Sequence, residues 1–224
     1  MGVHLLGLNH RTAGVALRER LHFSLEEGVR AGESLRRDGL VDEVVVLSTC
    51  NRSEVYSIAS ERAADVETGV QNYLCKFHSI EPAQLNGCLY HRRDRDAVEH
   101  LYRVAAGLDS MMLGEAEILG QVRETYLAAQ RAGLTGPILN RLFQAGLEVG
   151  KRVRAETRLG AQAMSVASAA MKLAEQIFGA LKNNSAAVLG SGAMGGKAAQ
   201  QLRARGIGRL WVASRTAEHA RELA

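Results

Sequence analysis

Ala186-Ala187-Val188-Leu189-Gly190-Ser191-Gly192-Ala193-Met194-Gly195 runs an apolar strand candidate into a GxGxxG turn. A helical pattern follows from Met194 to Arg205. A strand that ends in glycines and opens a helix turns tightly and brings backbone N–H groups to the positive helix end, where a pyrophosphate binds. The motif alone is a weak signal, and a ligand-free Ala/Gly-rich turn is the plain alternative; the flanking strand and helix strengthen the binding reading. A second strand is expected at Leu210 to Ala213, and its end reads Ala213-Ser214-Arg215-Thr216. An acidic side chain at that place suits a ribose 2′-hydroxyl, whereas Arg215 suits a 2′-phosphate, which favours NADP over NAD. A surface arginine is the alternative for Arg215. The cofactor-binding candidates are Gly190, Ser191, Gly192, Ala193, Met194, Gly195 and Arg215, although two strands do not complete a nucleotide-binding sheet.

Upstream the pattern differs. Val3 to Leu8 reads as a strand, and Ser24 to Arg37 as an amphipathic helix with Ser24 as N-cap. The β-branched run Glu43 to Leu47 and a second strand, Glu54 to Ile58, flank a polar break, Ser48 to Arg52. Helices are expected near Ala63 to Phe77 and Asp96 to Ala106, with a strand at Gly87 to His91 between them. Ile118 to Thr157 is helical apart from a break at Gly133 to Pro137, and Val166 to Leu181 forms a further helix. The fold class is α/β: an α+β domain with a helical spacer over 1–163, then a partial Rossmann-type domain over 164–224.

With 46% apolar and 23% charged residues in 224, disorder, collagen and coiled-coil classes drop out. No apolar stretch reaches the roughly 18 to 20 residues of a membrane span, and Met1 to His10 lacks signal-peptide character, which predicts a cytoplasmic protein. The net charge of +4 is uneven: residues 1–163 hold 20 basic and 21 acidic side chains, and 164–224 hold 8 and 3. Three cysteines without CxxC spacing argue against a disulfide framework or a zinc site, so free thiols and no metal are expected.

Cys50 lies in the polar break beside Thr49, Asn51 and Arg52, whereas Cys75 sits in an apolar helical stretch and Cys88 starts a strand. A reactive thiolate needs access and nearby positive charge, and only Cys50 combines a turn with an adjacent arginine. A structural cysteine is the plain alternative. Joined to a dinucleotide motif, such a thiol suggests a thioester route, in which attack on an activated carboxyl precedes hydride delivery to give an aldehyde.

Gly7-Leu8-Asn9-His10-Arg11-Thr12-Ala13, Leu47-Ser48-Thr49-Cys50-Asn51-Arg52-Ser53-Glu54-Val55-Tyr56, and Gly107-Leu108-Asp109-Ser110-Met111-Met112-Leu113-Gly114-Glu115 with Ile118-Leu119-Gly120-Gln121-Val122 resemble the glutamyl-tRNA reductase family. The resemblance spans the chain but only the N-terminal part of the family's length. It implies an NADPH-dependent reduction of glutamyl-tRNA to glutamate-1-semialdehyde through a thioester on Cys50, the first step of the C5 route to tetrapyrroles, with reduction impaired in a shortened chain. It also implies a homodimer whose dimerisation helices are absent here, and channelling to glutamate-1-semialdehyde aminomutase.

By the same resemblance His100 is needed for activity. Its helix carries an apolar stripe of Val98, Leu101, Tyr102 and Ala105, and His100 falls off it, which by itself predicts a solvated histidine. Substrate contacts are implied at Thr49, Asn51, Arg52, Ser110, Glu115, Ala116, Glu117 and Gln121. Arg52 would fork the glutamate carboxylate. The family commonly has Glu-Pro-Gln where this chain has Glu115-Ala116-Glu117, and an added acid at 117 repels a glutamate substrate unless it faces away. Residues 131–158 hold six basic and two acidic side chains, which suits tRNA phosphates or a solvated helix face equally. Two other readings stay open: an NADP-linked, thioester-forming semialdehyde dehydrogenase acting on a small molecule, and a non-catalytic fragment that binds tRNA or a partner. The thiol domain preceding the GxGxxG counts against the first, and salt-sensitive tRNA binding with an inert Cys50 would favour the second.

Overall fold

The computed structural model describes residues 2–115, 117–159 and 166–223. The chain folds as two compact units, Met1–Gln162 and Ala163–Ala224; the boundary expected at residue 163 lies outside the described residues.

The first unit is built on an antiparallel sheet of β1 (Val3–Asn9), β2 (Val41–Thr49), β3 (Arg52–Ala59) and β4 (Tyr90–Arg93), in the order β2-β3-β1-β4. The three long strands are buried almost throughout, as strands covered on both faces are. Helices α2 (Leu25–Arg37), α5 (Glu117–Arg131) and α6 (Pro137–Glu156) pack on β2, while α3 (Val66–His78) and α4 (Asp94–Ala105) pack on β1. Leu5, Leu35, Val44, Leu47, Tyr56, Leu101 and Phe143 form the centre of the core.

Local chemistry sets the ends of these elements. Ser24 caps α2 in a capping box with Glu27, whose carboxylate accepts the Ser24 N–H at 2.8 Å. Asp65 caps α3 by accepting the N–H groups of Glu67 and Thr68. Helix α6 begins at Gly136-Pro137 with no side-chain cap of its own. The missing acceptor comes from β2: Glu43, 7% exposed, takes the Ile138 N–H at 3.2 Å and the Leu139 N–H at 2.7 Å.

Several expected boundaries shift. The polar break contracts to Cys50 and Asn51, because Thr49 and Arg52 pair across the β2–β3 hairpin. Cys88 precedes its strand, since the 3₁₀ turn Pro82–Leu85 delays β4. Helix α1 (Val15–Arg20), six residues with no buried side chain, has no apolar stripe to announce it. The helix expected to reach Leu181 ends at Phe178, before Gly179, whose φ is +67°.

The second unit contains α7 (Val166–Phe178), a parallel pair β5 (Ser185–Leu189) and β6 (Arg209–Ala213), α8 (Ala193–Ala204) and α9 (Ala217–Leu223). Its core is small: Met171, Leu181, Val188, Ala199 and Leu202. Among the described residues no helix is long and apolar enough to cross a membrane.

The Glu43 cap supplies a stability test. Glu43→Ala should cost about 2 kcal/mol in urea unfolding, and Glu43→Gln, which keeps one acceptor oxygen, about half of that.

Candidate active site at a hairpin thiol

Cys50 and Asn51 form the tip of the β2–β3 hairpin, and the tip is held from two sides. The His10 N–H at the end of β1 donates to the Asn51 carbonyl at 2.9 Å, and Arg18 Nε of α1 donates to the Cys50 carbonyl at 3.3 Å. Thr49, itself buried, accepts the Asn51 N–H on its Oγ1 at 3.2 Å. Cys50 is exposed, Cys75 is buried and Cys88 is half-buried.

Below the tip, strand periodicity sends Arg52, Glu54 and Tyr56 to one side of β3. Glu54 is buried and receives four donors. Its Oε1 accepts Arg52 Nη1 at 2.7 Å, Tyr90 Oη at 2.6 Å and His100 Nε2 at 2.8 Å, and its Oε2 accepts Tyr56 Oη at 2.8 Å. Gly7, opposite Glu54 in the β1–β3 register, leaves room for it: a Cβ there would press on Glu54 Cγ and the Ser53 carbonyl at 2.8 Å. Arg52 continues the network to Asp109, through Nη1 to Oδ2 at 3.2 Å and Nη2 to the carbonyl at 2.5 Å. Asp109 also accepts Asn9 Nδ2 at 3.4 Å and pairs with the exposed Arg11 at 3.2 Å. The hairpin is thereby tied to the loop after α4 that carries Ser110.

These contacts revise three expectations. Arg52 is 1% exposed and engaged with two carboxylates, so it is not an open fork at the surface; only its buried Nε lacks a partner. His100 is 5% exposed and not solvated, because the Glu54 carboxylate gives its imidazole a partner inside the protein. The cation beside Cys50 is Arg18, since Arg52 points into the core. Burial pushes the Cys50 thiol above its ordinary range and the Glu115 and Glu117 carboxylates add to the rise, against the backbone hydrogen bond and Arg18. For Glu54, burial alone would raise the carboxyl, yet Arg52 and His100 outweigh it and hold it well below the usual carboxylate range. Glu54 in turn drives the Arg52 guanidinium upward against the cost of burial.

Of the other expected contacts, Ser110 is buried with its Oγ unpartnered, and the Glu115 carbonyl accepts Arg154 Nη2. Glu117 begins α5, and one turn on Gln121 lines a recess of about 150 Å³ with His22, Ser48 and Glu124. Ala116 lies outside the described residues. Sequence reasoning missed Glu54, Asp109 and Arg18. The period-2 spacing of Arg52, Glu54 and Tyr56 is the signal that could have found Glu54; Asp109 and Arg18 are placed by tertiary folding alone.

In the second unit, Gly190, Ser191, Gly192, Ala213, Ser214, Arg215, Thr216 and His219 line an open cleft of about 830 Å³. Gly190 adopts φ +107°, and Gly192 is the N-cap of α8. A Cβ on Gly195 would collide with the Gly190 carbonyl, so the third glycine permits the close strand-to-helix approach. Met194 lies in the first turn of α8, and Ser191 Oγ meets Ser214 Oγ at 2.6 Å across the strand ends. The residues fit a dinucleotide phosphate at a helix N-terminus, with Arg215 on the lining.

An exposed cysteine on a braced hairpin, together with a glycine-lined cleft at the end of a parallel strand pair, defines a thiol protein of the dinucleotide-binding α/β class. A family model described as Glutamyl-tRNAGlu reductase, N-terminal domain, matches residues 6–157, and one described as Shikimate / quinate 5-dehydrogenase matches 172–224. The chain belongs to the glutamyl-tRNA reductase family. It is 45% identical over 225 residues to the glutamyl-tRNA reductase of Rubrobacter xylanophilus, covering 100% of this chain and 52% of that protein. The identity to that of Pseudomonas aeruginosa is 45% over 219 residues, covering 98% and 51%. The solved structure of glutamyl-tRNA reductase from Methanopyrus kandleri superposes with a TM-score of 0.67 at 35% identity, covering 99% of this chain and 51% of that one. The chain thus spans about half the length of these relatives.

The network predicts a pH signature. A depressed folded-state carboxyl stabilises the protein above the unfolded carboxylate value, near pH 4.3, and loses that stabilisation as pH falls towards the folded value. Glu54→Gln should therefore be less stable than wild type by about 3 kcal/mol at neutral pH, with a gap that narrows progressively below about pH 4 in urea titrations. Alkylation of Cys50, followed by peptide mapping, should titrate above the ordinary thiol value of about 8.5, and Glu115→Gln should lower that midpoint.

Proposed function

We propose that this chain acts on glutamyl-tRNA, with Cys50 as the nucleophile that forms a glutamyl thioester. The Cys50 thiolate attacks the ester carbonyl carbon; the Sγ–C bond forms, the C–O bond to the ribose breaks, and the departing tRNA oxygen takes up a proton. The observation that carries this reading is the outward thiol on a tip whose two carbonyls are both held, which fixes the nucleophile before substrate arrives. Membership of the glutamyl-tRNA reductase family supports the choice of substrate.

Thr49 and Asn51 at the tip, Ser110 on the loop after α4 and Gln121 on α5 are the neutral polar groups assigned to the glutamyl moiety. Glu115 and Glu117 bring negative charge to Cys50, so a glutamate carboxylate is directed away from them. Arg52 and His100 serve as positioning residues. Arg52 ties the hairpin to the Ser110 loop through Asp109, and His100 holds Glu54, which holds Arg52. The exposed Arg141, Lys151, Arg152 and Arg158, on α6 and just after it, offer contacts to tRNA phosphates.

In the second unit Gly190 to Gly195 would hold the pyrophosphate of NADPH and Arg215 its 2′-phosphate. Bound there, NADPH would supply the hydride for reducing the thioester to glutamate-1-semialdehyde, with Cys50 leaving as thiolate.

Trapping tests the reading. Charged glutamyl-tRNA without NADPH should leave one glutamyl group on the Cys50 peptide, and Cys50→Ala should leave none; labelling that persists in Cys50→Ala refutes it. His100→Ala should slow thioester formation about tenfold. His100→Gln, which keeps a donor for Glu54, should recover most of the rate, and failure of that rescue would mean that His100 acts on substrate directly.

A further inference from the structure

His4 of β1, His91 of β4 and Glu67 in the first turn of α3 meet on one face of the sheet, a place the proposed thioester chemistry does not use. The register sets His4 opposite Arg93 and Leu6 opposite His91, so His4, His91 and Arg93 point to the same side. The two imidazoles stack with centroids 5.7 Å apart and planes 25° from parallel. Glu67 Oε2 meets His91 Nδ1 at 2.8 Å. One ring nitrogen from each histidine and one Glu67 oxygen all lie within 4.8 Å of one another. His4 Nδ1 and His91 Nε2 are buried nitrogens without a hydrogen-bond partner.

We propose that His4, Glu67 and His91 form a binding site for a divalent transition-metal ion, with zinc the best match. Two imidazoles and one carboxylate are a borderline donor set that suits zinc over magnesium or calcium, and three protein ligands leave a tetrahedral position for water. Zinc–ligand bonds of about 2.0–2.2 Å place neighbouring donors about 3.3 Å apart, so the present spacing closes by side-chain rotation of about an ångström. The surrounding charge also suits a dication. Glu67, Asp65 and Asp94 stand near the pair against Arg93, which now contacts Glu67 from a side chain that is 61% exposed. Metal binding displaces that guanidinium into solvent, so Arg93 competes with the ion. A bound ion would clamp together the first strand, the edge strand and α3, elements far apart in sequence.

Calorimetric titration of the EDTA-treated chain with zinc chloride at neutral pH tests the site. The expected result is one ion per chain with a Kd below about 10 μM, weakened at least about tenfold in His4→Ala and in Glu67→Gln. Arg93→Gln should bind at least as tightly as wild type. Zinc should raise the thermal midpoint of wild type and leave that of Glu67→Gln unmoved. Cys50→Ser controls for binding at the exposed thiol and should retain the ion. No binding in wild type, binding that survives both His4→Ala and Glu67→Gln, or binding lost in Cys50→Ser would overturn the assignment. Circular dichroism of each variant separates loss of a ligand from loss of fold, and Glu67→Gln, a half-buried change on the first turn of α3, keeps the test available should His4→Ala misfold.

Discussion

One buried carboxylate, Glu54, organises the thiol-bearing unit. Leaving it charged and unpaired in the core would cost several kcal/mol, and the fold answers with four donors drawn from β3, β4 and α4. Two of the donors, Arg52 and Tyr56, flank Glu54 on β3, and the other two, Tyr90 and His100, come from distant parts of the chain, so satisfying one carboxylate brings the edge strand and α4 into place around the hairpin. Arg52 is then held with one face on Glu54 and the other on Asp109, and the position of the Cys50 tip follows from that of Arg52. The exposed Cys50 thiol depends on a charge that solvent never reaches.

A second buried glutamate repeats the device with a different outcome. Glu43 caps α6 from β2, replacing a cap that Gly136 cannot supply. Both glutamates face a glycine: a Cβ on Gly7 would press on Glu54, and one on Gly136 would press on Glu43 at 2.6 Å. Missing side chains thus make room for buried carboxyl groups in a core otherwise filled largely by aliphatic and aromatic residues.

The architecture was legible wherever local pattern and tertiary role agree. The GxGxxG could be placed because its strand and helix flank it directly, and α2 because Ser24 and Glu27 announce its start. The hairpin thiol could be placed because the polar residues Ser48 to Arg52 separate a β-branched run from a second strand pattern. What failed was burial of polar groups. Arg52 and His100 look surface-bound when each is read on its own element, since the partner that permits their burial, Glu54, lies two residues away in one case and 46 in the other. Helix α1 stayed invisible because it buries nothing, yet it delivers Arg18 to the Cys50 carbonyl. The His4, Glu67 and His91 cluster is illegible for a similar reason, since its three side chains lie on separate elements and have no sequence spacing to read.

The two units also differ in how their sheets meet solvent. In the first, β2-β3-β1-β4 is wrapped by helices, whereas the second holds a five-residue parallel pair in which Val188 is buried and the other positions are half-buried or exposed. Leu189 is 83% and Trp211 55% exposed. Backbone amides of β5 and β6 therefore exchange with water through small local openings, while those of β1 and β3 wait for the whole first unit to open. The cleft that would receive the nucleotide is thus built on the less protected scaffold, and a ligand seated there would cover surface that its own strands leave open.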